Sequence, residues 1–354
     1  MSITGKIRVL IVDDSSFMRK AISGMLREDP VIEVCGEARD GLEAIEKVAS
    51  LRPDVVTMDI EMPRMDGIEA LRNIMERTPV PVIMISSLSE EGAKATFEAL
   101  DAGALDFIPK HLEAFSFNIF KLKSTVIEKI KTLAGSAVKK RAPSADVSAT
   151  DRRLTTQLRS VFSARKVALV AIGASTGGPK AVEDILKIMP ADFPVGVLVI
   201  QHMPASFTGA YAERLNSLCG MEVKEAKNGD QPGPGLVLVA PGGHQMRVRK
   251  IGAIETRIQI DDTPSDALYK PCVDVSFLSV AECYPARALG VILTGMGKDG
   301  FEGTKAIKQS GGPILVQDES SCVVYGMPKA VVDGGLYDKV VSLSSMAGEI
   351  MNLV

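Results

Sequence analysis

Residues 8–14 read Arg-Val-Leu-Ile-Val-Asp-Asp, an apolar run that stops on two carboxylates. Four consecutive apolar residues predict a strand that is buried on both faces, as in a parallel sheet. Further runs rich in Val and Ile lie at Val31–Ala38, Val55–Ile60, Pro81–Ser86 and Asp106–Ile108. Amphipathic segments separate them, and this alternation predicts a doubly wound α/β domain with helices on both faces of the sheet.

The helical patterns between and after these runs set the end of the first domain. They are Ser16–Glu28, Gly41–Ser50, Gly67–Arg77 and Asn118–Leu133. The last one closes five strand–helix units, so we assign residues 1–134 to the first domain.

A basic segment follows, in which the alternation stops. Residues 137–166 contain eight basic and two acidic residues. A charged stretch without apolar periodicity is typical of a linker, and a short helix is predicted near Arg153–Phe162. We therefore assign residues 135–165 to a basic linker and residues 166–354 to a second domain.

The second domain repeats the pattern of apolar strand, turn and helix. Its predicted strands are Val167–Ile172, Val195–Gln201, Leu236–Ala240, Leu289–Leu293 and Ile314–Gln317. Residues 245–260 alternate polar and apolar side chains, which predicts an antiparallel hairpin. The second domain is thus expected to be Rossmann-like, with a mainly parallel sheet and one added hairpin.

Composition excludes several classes of protein. The chain has 354 residues, a formal net charge of −3, 24% charged and 46% hydrophobic residues, and five cysteines without a CxxC pair. These values argue against extensive disorder, nucleic-acid binding through bulk positive charge, a disulfide framework and a cysteine zinc site. No apolar stretch is long enough for a membrane span, so we expect a cytoplasmic protein with no membrane insertion.

Charged or hydroxyl-bearing side chains end several strands of the first domain. Asp13 and Asp14 follow the first strand, Asp59 ends the third, Ser86 ends the fourth and Lys110 follows the fifth. The carboxyl ends of inner strands meet at one crevice, where three carboxylates would repel one another unless they held a hard divalent cation such as Mg²⁺. A hydroxyl and an ammonium on the same edge suit the oxygens of a phosphoryl group. A single aspartate at a strand end can also be a helix N-cap.

With these residues, the sequence from Lys6 to about Ala134 resembles the receiver domain of two-component response regulators. The matching pieces are Val12-Asp13-Asp14-Ser15, Met58-Asp59-Ile60-Glu61-Met62-Pro63, Met65-Asp66-Gly67, Ile85-Ser86-Ser87 and Gly103-Ala104 before Lys110. The resemblance implies a flavodoxin-like fold and phosphorylation of Asp59 by a histidine kinase.

The same resemblance implies roles for the neighbours of Asp59. Asp13, Asp14, Asp59 and the backbone carbonyl of Glu61 would hold Mg²⁺. Ser86 and Phe107 would form the switch pair, with Lys110 supplying the cation. The chain departs from the family by reading Pro109-Lys110-His111 where Lys-Pro is usual.

A glycine-rich turn opens the second domain. The predicted strand Val167–Ile172 runs into Gly173-Ala174-Ser175-Thr176-Gly177-Gly178-Pro179, and a helical pattern follows. Strand, tight turn and helix are the context in which G-x-S-x-G presents a nucleophilic serine next to the N–H groups of a helix N-terminus. A phosphate-binding loop fits less well, because Pro179 stands where that loop requires lysine. A packing turn with an incidental serine is the other alternative.

A serine nucleophile requires a base, and the chain has three histidines. His202 directly follows the strand Val195–Gln201, on the edge expected to carry Ser175. His244 lies in a glycine turn and is the second candidate. Asp299, in the turn after Leu289–Leu293, can orient the imidazole. It can instead cap the helix that begins near Phe301.

These residues give the second region a resemblance to the methylesterase domain of chemotaxis response regulators. The matching pieces are Gly173–Pro179, Gln201-His202-Met203-Pro204, Ala240-Pro241-Gly242-Gly243-His244, Leu293–Gly300 and Tyr325-Gly326-Met327-Pro328. With the receiver-like region in front, the resemblance to receiver-linked protein-glutamate methylesterases covers nearly the whole chain.

This resemblance implies hydrolysis of glutamate methyl esters on chemoreceptors, with deamidation of some receptor glutamines. Ser175 would attack the ester, His202 would be the base and Asp299 would orient it. The Met296 N–H would bind the oxyanion, and Thr176 would help to position His202. The partners would be methyl-accepting chemoreceptors as substrate and a chemotaxis histidine kinase as phosphodonor, and no cofactor is expected in the esterase domain.

Two other functions remain open from the residues themselves. The second domain could bind a nucleotide or DNA without catalysis, although no basic recognition helix follows residue 166. It could also hydrolyse small esters unrelated to receptors.

Overall fold

The structure is a computed structural model that describes residues 5–87, 89–110, 119–134, 167–252 and 255–354. It divides into two compact units, Met1–Arg141 and Ala142–Val354. The predicted basic linker and its short helix near Arg153–Phe162 lie outside the described residues. Among the described residues, no helix combines the length and the apolar character that crossing a membrane requires.

The first unit is a five-stranded parallel sheet covered by helices. Its elements are β1 (Ile7–Val12), α1 (Ser16–Arg27), β2 (Ile32–Ala38), α2 (Gly41–Leu51), β3 (Val55–Asp59), α3 (Gly67–Arg77), β4 (Val82–Ser86), α4 (Glu90–Ala102), β5 (Asp106–Pro109) and α5 (Ile119–Leu133). The strand order β2-β1-β3-β4-β5 is that of flavodoxin-like domains. The predicted doubly wound fold of this unit is confirmed.

Side-chain caps at the helix N-termini account for several of the polar residues after the strands. Ser15, Asp40 and Asp66 accept hydrogen bonds from backbone N–H groups in the first turns of α1, α2 and α3. Asp13 instead accepts from the Ser15 N–H at 2.9 Å with Oδ1. The caps use Ser15 and Asp66, which leaves Asp13 and Asp59 free to face the end of the sheet.

The second unit contains a seven-stranded parallel sheet and a separate two-stranded antiparallel hairpin. Its elements are β6 (Leu169–Ala174), α6 (Gly178–Leu186), β7 (Gly196–Gln201), α7 (Ala205–Leu218), β8 (Glu222–Glu225), β9 (Leu236–Val239), β10 (Gln245–Ile251), β11 (Glu255–Asp261), α8 (Val273–Cys283), β12 (Ala288–Ile292), α9 (Phe301–Gln309), β13 (Ile314–Gln317), α10 (Met327–Asp333), β14 (Lys339–Val341) and α11 (Leu343–Leu353). The parallel order is β14-β13-β12-β6-β7-β9-β8, and β10 pairs with β11. The expected Rossmann-like sheet with an antiparallel hairpin is confirmed.

The first strand of this unit lies two residues later than predicted. Gly173 and Ala174 belong to β6, where they pair with Ile200 and Gln201 of β7. They therefore continue the sheet, and the turn begins only at Ser175. Both residues are buried at the carboxyl end of a central strand, and a side chain on Gly173 would collide with Val273 of α8.

The position of β6 in the sheet determines where a site can form. It pairs with β7 on one side and β12 on the other. The chain moves outward from β6 in one direction and later returns to build the other side, so the carboxyl end of β6 is a topological switch point. Clefts at such points bind ligands in open α/β sheets.

The hairpin is fastened to α8 through buried polar contacts. The Ser276 hydroxyl donates to the Met246 carbonyl at 2.7 Å, and the Ser279 hydroxyl accepts from the Val248 N–H at 3.0 Å. Met246, Val248 and Ile258 also join the apolar core around Phe277 of α8. The hairpin is thereby held in a fixed register against the helix that begins beside the sheet's carboxyl edge.

Candidate active site and receiver acidic cluster

The serine turn lies at the carboxyl end of β6. The Ser175 N–H donates to the Thr294 carbonyl at 3.1 Å, and the Ser175 carbonyl accepts from the Gly178 N–H at 2.8 Å. Gly177 has φ 76°, a left-handed conformation that glycine adopts without strain. A Cβ on Gly178 would lie 2.1 Å from Oε1 of Gln201, so the turn requires glycine there for close packing.

His202 begins the loop after β7, beside this turn. Its N–H donates to the Ala174 carbonyl at 3.1 Å. Its Nδ1 lies 3.2 Å from Ser175 Oγ, and its Nε2 lies 2.7 Å from Asp299 Oδ2. An ionised carboxylate only accepts hydrogen bonds, so Nε2 carries the proton and Nδ1 is left to accept from the Ser175 hydroxyl.

Asp299 is buried and receives hydrogen bonds from several directions. Oδ2 accepts from the Val273 N–H at 2.7 Å, and Oδ1 accepts from the Asp274 N–H at 3.0 Å and the Gly300 N–H at 2.9 Å. Burial by itself would raise the pKa of this carboxyl, but His202 and the N–H groups of Asp274 and Val273 outweigh that effect and lower the pKa to about 2. Asp299 is therefore ionised at neutral pH.

The capping role considered for Asp299 falls on a different helix. Helix α9 begins at Phe301, and its N-cap is Gly300 with φ 95°. The Asp299 carboxylate instead binds the first turn of α8, whose N–H groups favour a negative charge. The helix that fixes Asp299 thus comes from a distant part of the chain.

Met296 and Thr176 lie in turns that contact each other around Ser175. A Cβ on Gly295 would lie 2.9 Å from Ser175 Cβ, so the segment that carries Met296 passes directly against the serine. The Thr294 hydroxyl donates to the Thr176 carbonyl at 2.9 Å. Thr176 is 3% exposed.

His244, the second candidate for the base, is not at this site. It is exposed, and its Nδ1 lies 2.7 Å from Asp262 Oδ1. The structure therefore brings Ser175, His202 and Asp299 together and leaves His244 paired elsewhere.

Three further residues contact the site without having been singled out from the sequence. The Tyr269 ring stacks on His202, the Cys272 thiol donates to Asp299 Oδ1 at 3.2 Å, and Gln201 Nε2 donates to the Ser175 carbonyl at 2.9 Å. Tyr269 and Cys272 come from a loop with no sequence signal. Gln201 stands directly before His202, at the carboxyl end of a buried strand, and a polar residue in that position is a detectable signal.

The first unit has its own acidic cluster at the carboxyl end of β1 and β3. Carboxylate oxygens of Asp13, Asp14 and Asp59 all lie within 4.8 Å of one another. Asp13 and Asp59 are buried, whereas Asp14 is exposed. Lys110 Nζ lies 2.6 Å from Asp59 Oδ2 and 3.1 Å from Asp13 Oδ2, so the lysine reaches the cluster despite the preceding proline.

Electrostatics in this cluster are governed by burial. Burial raises the pKa of Asp59 to about 6, although the Lys110 ammonium opposes the rise. It also raises the pKa of Asp13, again against the effect of Lys110. Close buried carboxylates of this kind, with oxygen ligands only, have the donor set that Mg²⁺ prefers.

The remaining receiver residues predicted from the sequence lie on β4, on β5 and just after β3. The Ser86 hydroxyl donates to the Gly92 carbonyl of α4 at 2.9 Å. Phe107 is 6% exposed in β5, and Glu61 is exposed just after β3. His111 lies outside the described residues.

Comparisons with known proteins agree with the two units. A family model for the response regulator receiver domain matches residues 9–116, and one for CheB methylesterase matches residues 170–350. The chain is 48% identical over 368 residues to protein-glutamate methylesterase/protein-glutamine glutaminase 1 of Oleidesulfovibrio alaskensis, covering 98% of this chain and 99% of that protein.

A second relative and one solved structure extend the comparison. Protein-glutamate methylesterase/protein-glutamine glutaminase 1 of Geobacter sulfurreducens is 46% identical, and the match covers 99% of this chain and 98% of that protein. The crystal structure of the Thermotoga maritima CheB methylesterase catalytic domain matches with a TM-score of 0.52 and 36% identity, covering 53% of this chain and 100% of that one.

Proposed function

The chain belongs to the CheB methylesterase family and carries the receiver domain of response regulators, and on that premise we propose that it hydrolyses glutamate methyl esters on chemoreceptors under control of phosphorylation. Ser175, His202 and Asp299 are the proposed catalytic residues. Glutamine side chains at equivalent receptor positions are the second proposed substrate.

In the proposed first step, Ser175 Oγ attacks the ester carbonyl carbon while His202 Nδ1 takes the hydroxyl proton. The Nε2–H of the resulting imidazolium stays hydrogen-bonded to Asp299, which balances the new charge. His202 then gives its proton to the leaving oxygen, and methanol departs from the acyl-enzyme. For a glutamine substrate, the amide nitrogen receives the proton and departs as ammonia.

In the proposed second step, water replaces methanol beside His202. Nδ1 takes a proton from this water as it attacks the acyl carbon, and the Ser175 oxygen takes the proton back as it leaves. The product is the glutamate carboxylate. In both steps the N–H of Met296 is the proposed donor to the oxyanion, because Met296 follows Gly295, which packs against Ser175. Thr176 is proposed to help position His202.

One observation carries this proposal, the hydrogen-bonded chain from Ser175 Oγ through His202 to Asp299 with 3.2 Å and 2.7 Å steps. Nucleophile, base and orienting carboxylate lie in the order that acyl transfer requires. The low pKa of Asp299, about 2, supports its role as the permanently charged partner of the histidine.

We assign regulation to the receiver. Asp59 is the proposed phosphoryl acceptor, its carboxylate oxygen displacing a histidine nitrogen of the kinase at phosphorus. Lys110 is already 2.6 Å from Asp59 and would pair with the new phosphoryl oxygens. Ser86 would exchange its hydrogen bond to Gly92 for one to the phosphoryl group, and Phe107 would change its packing with it.

Asp13, Asp14, Asp59 and the Glu61 carbonyl are the proposed Mg²⁺ ligands. The three carboxylates fit this role because their oxygens converge within 4.8 Å. When bound, the ion would neutralise charge on the phosphoryl oxygens. The chain's own part is to hold the carboxylates and Lys110 around Asp59.

The proposed partners follow from the two sites. A chemotaxis histidine kinase would supply the phosphoryl group, and methyl-accepting chemoreceptors would supply the esters. Both are expected to be met in the cytoplasm, and no cofactor is proposed for the esterase site.

Substrate class is tested by comparing two esters on the same preparation of the full chain. Methanol release from methyl-esterified receptor in membranes is measured beside phenol release from a phenyl ester, each with and without a small phosphodonor and Mg²⁺. We expect methanol release that rises with the phosphodonor. Phenol release without methanol release would show that the site hydrolyses small esters and not receptor esters. Release of neither product would contradict catalysis and favour a binding function for the second unit.

A further inference from the structure

The imidazole of His202 lies face to face with the phenol ring of Tyr269. The ring centroids are 4.1 Å apart and the planes are inclined by 12°. The two nitrogens of His202 are engaged along the ring edge, by Ser175 at 3.2 Å and by Asp299 at 2.7 Å. Hydrogen bonds at the ring edge resist tilting of the imidazole plane weakly, whereas a ring packed on its face resists that tilting directly.

We propose that Tyr269 is a positioning residue for His202, which holds the imidazole in plane with Ser175 and Asp299 and stabilises the imidazolium formed during acyl transfer. This inference rests on the proposed function of the Ser175 site. An aromatic face attracts a cation within about 6 Å of its centroid. The stack therefore favours the charged ring over the neutral one, so it stabilises the transition state more than the ground state.

A buried side chain helps to hold the segment that carries Tyr269. Gln245, at the start of β10, is fully buried. Its Nε2 donates to the Tyr269 carbonyl at 2.9 Å, and its Oε1 accepts from the Cys272 N–H at 2.8 Å. A single carboxamide thus brackets residues 269–272, and the hairpin that carries it is itself fastened to α8.

The same segment also reaches the other partner of His202. The Cys272 thiol donates to Asp299 Oδ1 at 3.2 Å, and the Val273 N–H donates to Oδ2 at 2.7 Å. One bracketed stretch of chain therefore sets Tyr269 against the face of His202 and anchors the carboxylate at its edge. This shared support fixes the position of the Tyr269 ring relative to the hydrogen bond between His202 and Asp299.

The test compares Tyr269→Phe and Tyr269→Leu in the full chain. Methanol release from methyl-esterified receptor gives kcat and KM. Phenylalanine keeps the ring, so kcat should stay within about twofold, whereas leucine should lower kcat about tenfold with KM within about twofold. Tyr337→Leu is the matched control, because Tyr337 precedes β14, an edge strand separated from β6 by β13 and β12, and is 38% exposed. It should change neither constant.

Nuclear magnetic resonance supplies a readout that needs no turnover. The chain has three histidines, so the imidazole C–H signals of His202 can be identified by their loss in His202→Gln. The ring current of Tyr269 should shift these signals, and the shift should persist in Tyr269→Phe and vanish in Tyr269→Leu. A chain that released no methanol would contradict the proposed function, while the spectra would still decide whether the stack exists.

Three results would overturn the proposal. Unmoved His202 signals in Tyr269→Leu would mean that the rings do not stack in solution. A raised KM with unchanged kcat would make Tyr269 a wall of the substrate cleft. A loss in Tyr269→Phe equal to that in Tyr269→Leu would assign the effect to the hydroxyl. Tyr269→Met provides a second ring-free variant if leucine is not tolerated.

Discussion

Nε2 of His202 lies 2.7 Å from Oδ2 of Asp299, a carboxylate held by the first turn of α8 and not by the helix that follows it in sequence. The carboxylate that accepts from His202 is thus tied to the same helix that fastens the hairpin. Substitutions that shift the first turn of α8 are therefore expected to displace Asp299 and, through it, His202.

Asp299→Asn tests this anchoring. An amide cannot supply the negative charge that balances an imidazolium, so methanol release should fall by roughly 10³-fold or more. The fold should persist, because asparagine still offers an oxygen to the N–H groups of α8. A variant that kept more than a tenth of the rate would show that Asp299 does not orient His202.

Ser175→Ala and His202→Ala should be strongly non-additive. If the two residues act as one unit, the double variant should be no slower than the slower single variant. The measurement is methanol release by both single variants and the double one, with His244→Ala as the exposed control. If the fold-decrease in rate for the double variant equalled the product of the fold-decreases for the two single variants, Ser175 and His202 would not act as one unit.

Sequence patterns predicted the inner strands. They also predicted that Ser175, His202 and Asp299, in the turns after these strands, lie at the same edge of the sheet. β6, β7 and β12 are apolar runs, and the carboxyl ends of adjacent parallel strands must converge. The edge strands β8 and β14, Glu222–Glu225 and Lys339–Val341, were not predicted, because they are short and carry charged residues. Edge strands commonly have this composition, which weakens their apolar signal.

Tyr269, Cys272 and the anchoring of Asp299 could not be predicted for a different reason. Their positions depend on Gln245 and on the packing of the hairpin against α8. These contacts join residues that are distant in sequence, so the spacing of residues along the chain does not predict them. For Asp299, the local pattern left a cap on α9 as an alternative, whereas in the structure its carboxylate binds the first turn of α8.

Asp59→Asn tests control by the receiver. Without a carboxylate to accept the phosphoryl group, methanol release by the full chain should not respond to a small phosphodonor. Asp66→Asn is the matched control, since Asp66 caps α3 and asparagine caps helices equally well. It should keep the full response, and stimulation of Asp59→Asn equal to the control would rule out Asp59 as the acceptor.

Lys110→Ala separates metal binding from the response. The carboxylates of Asp13, Asp14 and Asp59 remain, so Mg²⁺ binding by titration calorimetry should persist, while the phosphodonor should no longer raise the rate. Lys20→Ala, on the exposed face of α1, is the control. Unchanged stimulation in Lys110→Ala would mean that the ammonium beside Asp59 is not needed for signalling.

Acid stability of the second unit should depend on Glu183, which is 2% exposed in α6. Lys180, Lys187 and Arg214 contact its carboxylate at 2.7, 2.6 and 2.9 Å. Burial opposes ionisation, but these cations outweigh it and lower the pKa from 4.5 to about 2.

A carboxyl group whose pKa is lowered on folding stabilises the fold above its unfolded pKa, and this contribution is lost as pH falls through the folded pKa. Glu183→Gln should therefore unfold at a lower temperature than the unsubstituted chain above pH 4.5, and the difference should disappear towards pH 2. Glu213→Gln, at an exposed position on α7, should show no such difference. If the difference in unfolding temperature between Glu183→Gln and the unsubstituted chain did not change with pH, ionisation of Glu183 would not be its cause.

Methanol release by Ser175→Ala, in the full chain with phosphodonor and Mg²⁺, tests the central claim most directly. Ser217→Ala is the matched control, because Ser217 is exposed near the end of α7. We predict that Ser175→Ala lowers the rate by at least about 10³-fold, since the nucleophile is lost, and that Ser217→Ala stays within about twofold. If Ser175→Ala kept more than a tenth of the control rate, Ser175 would not be the nucleophile.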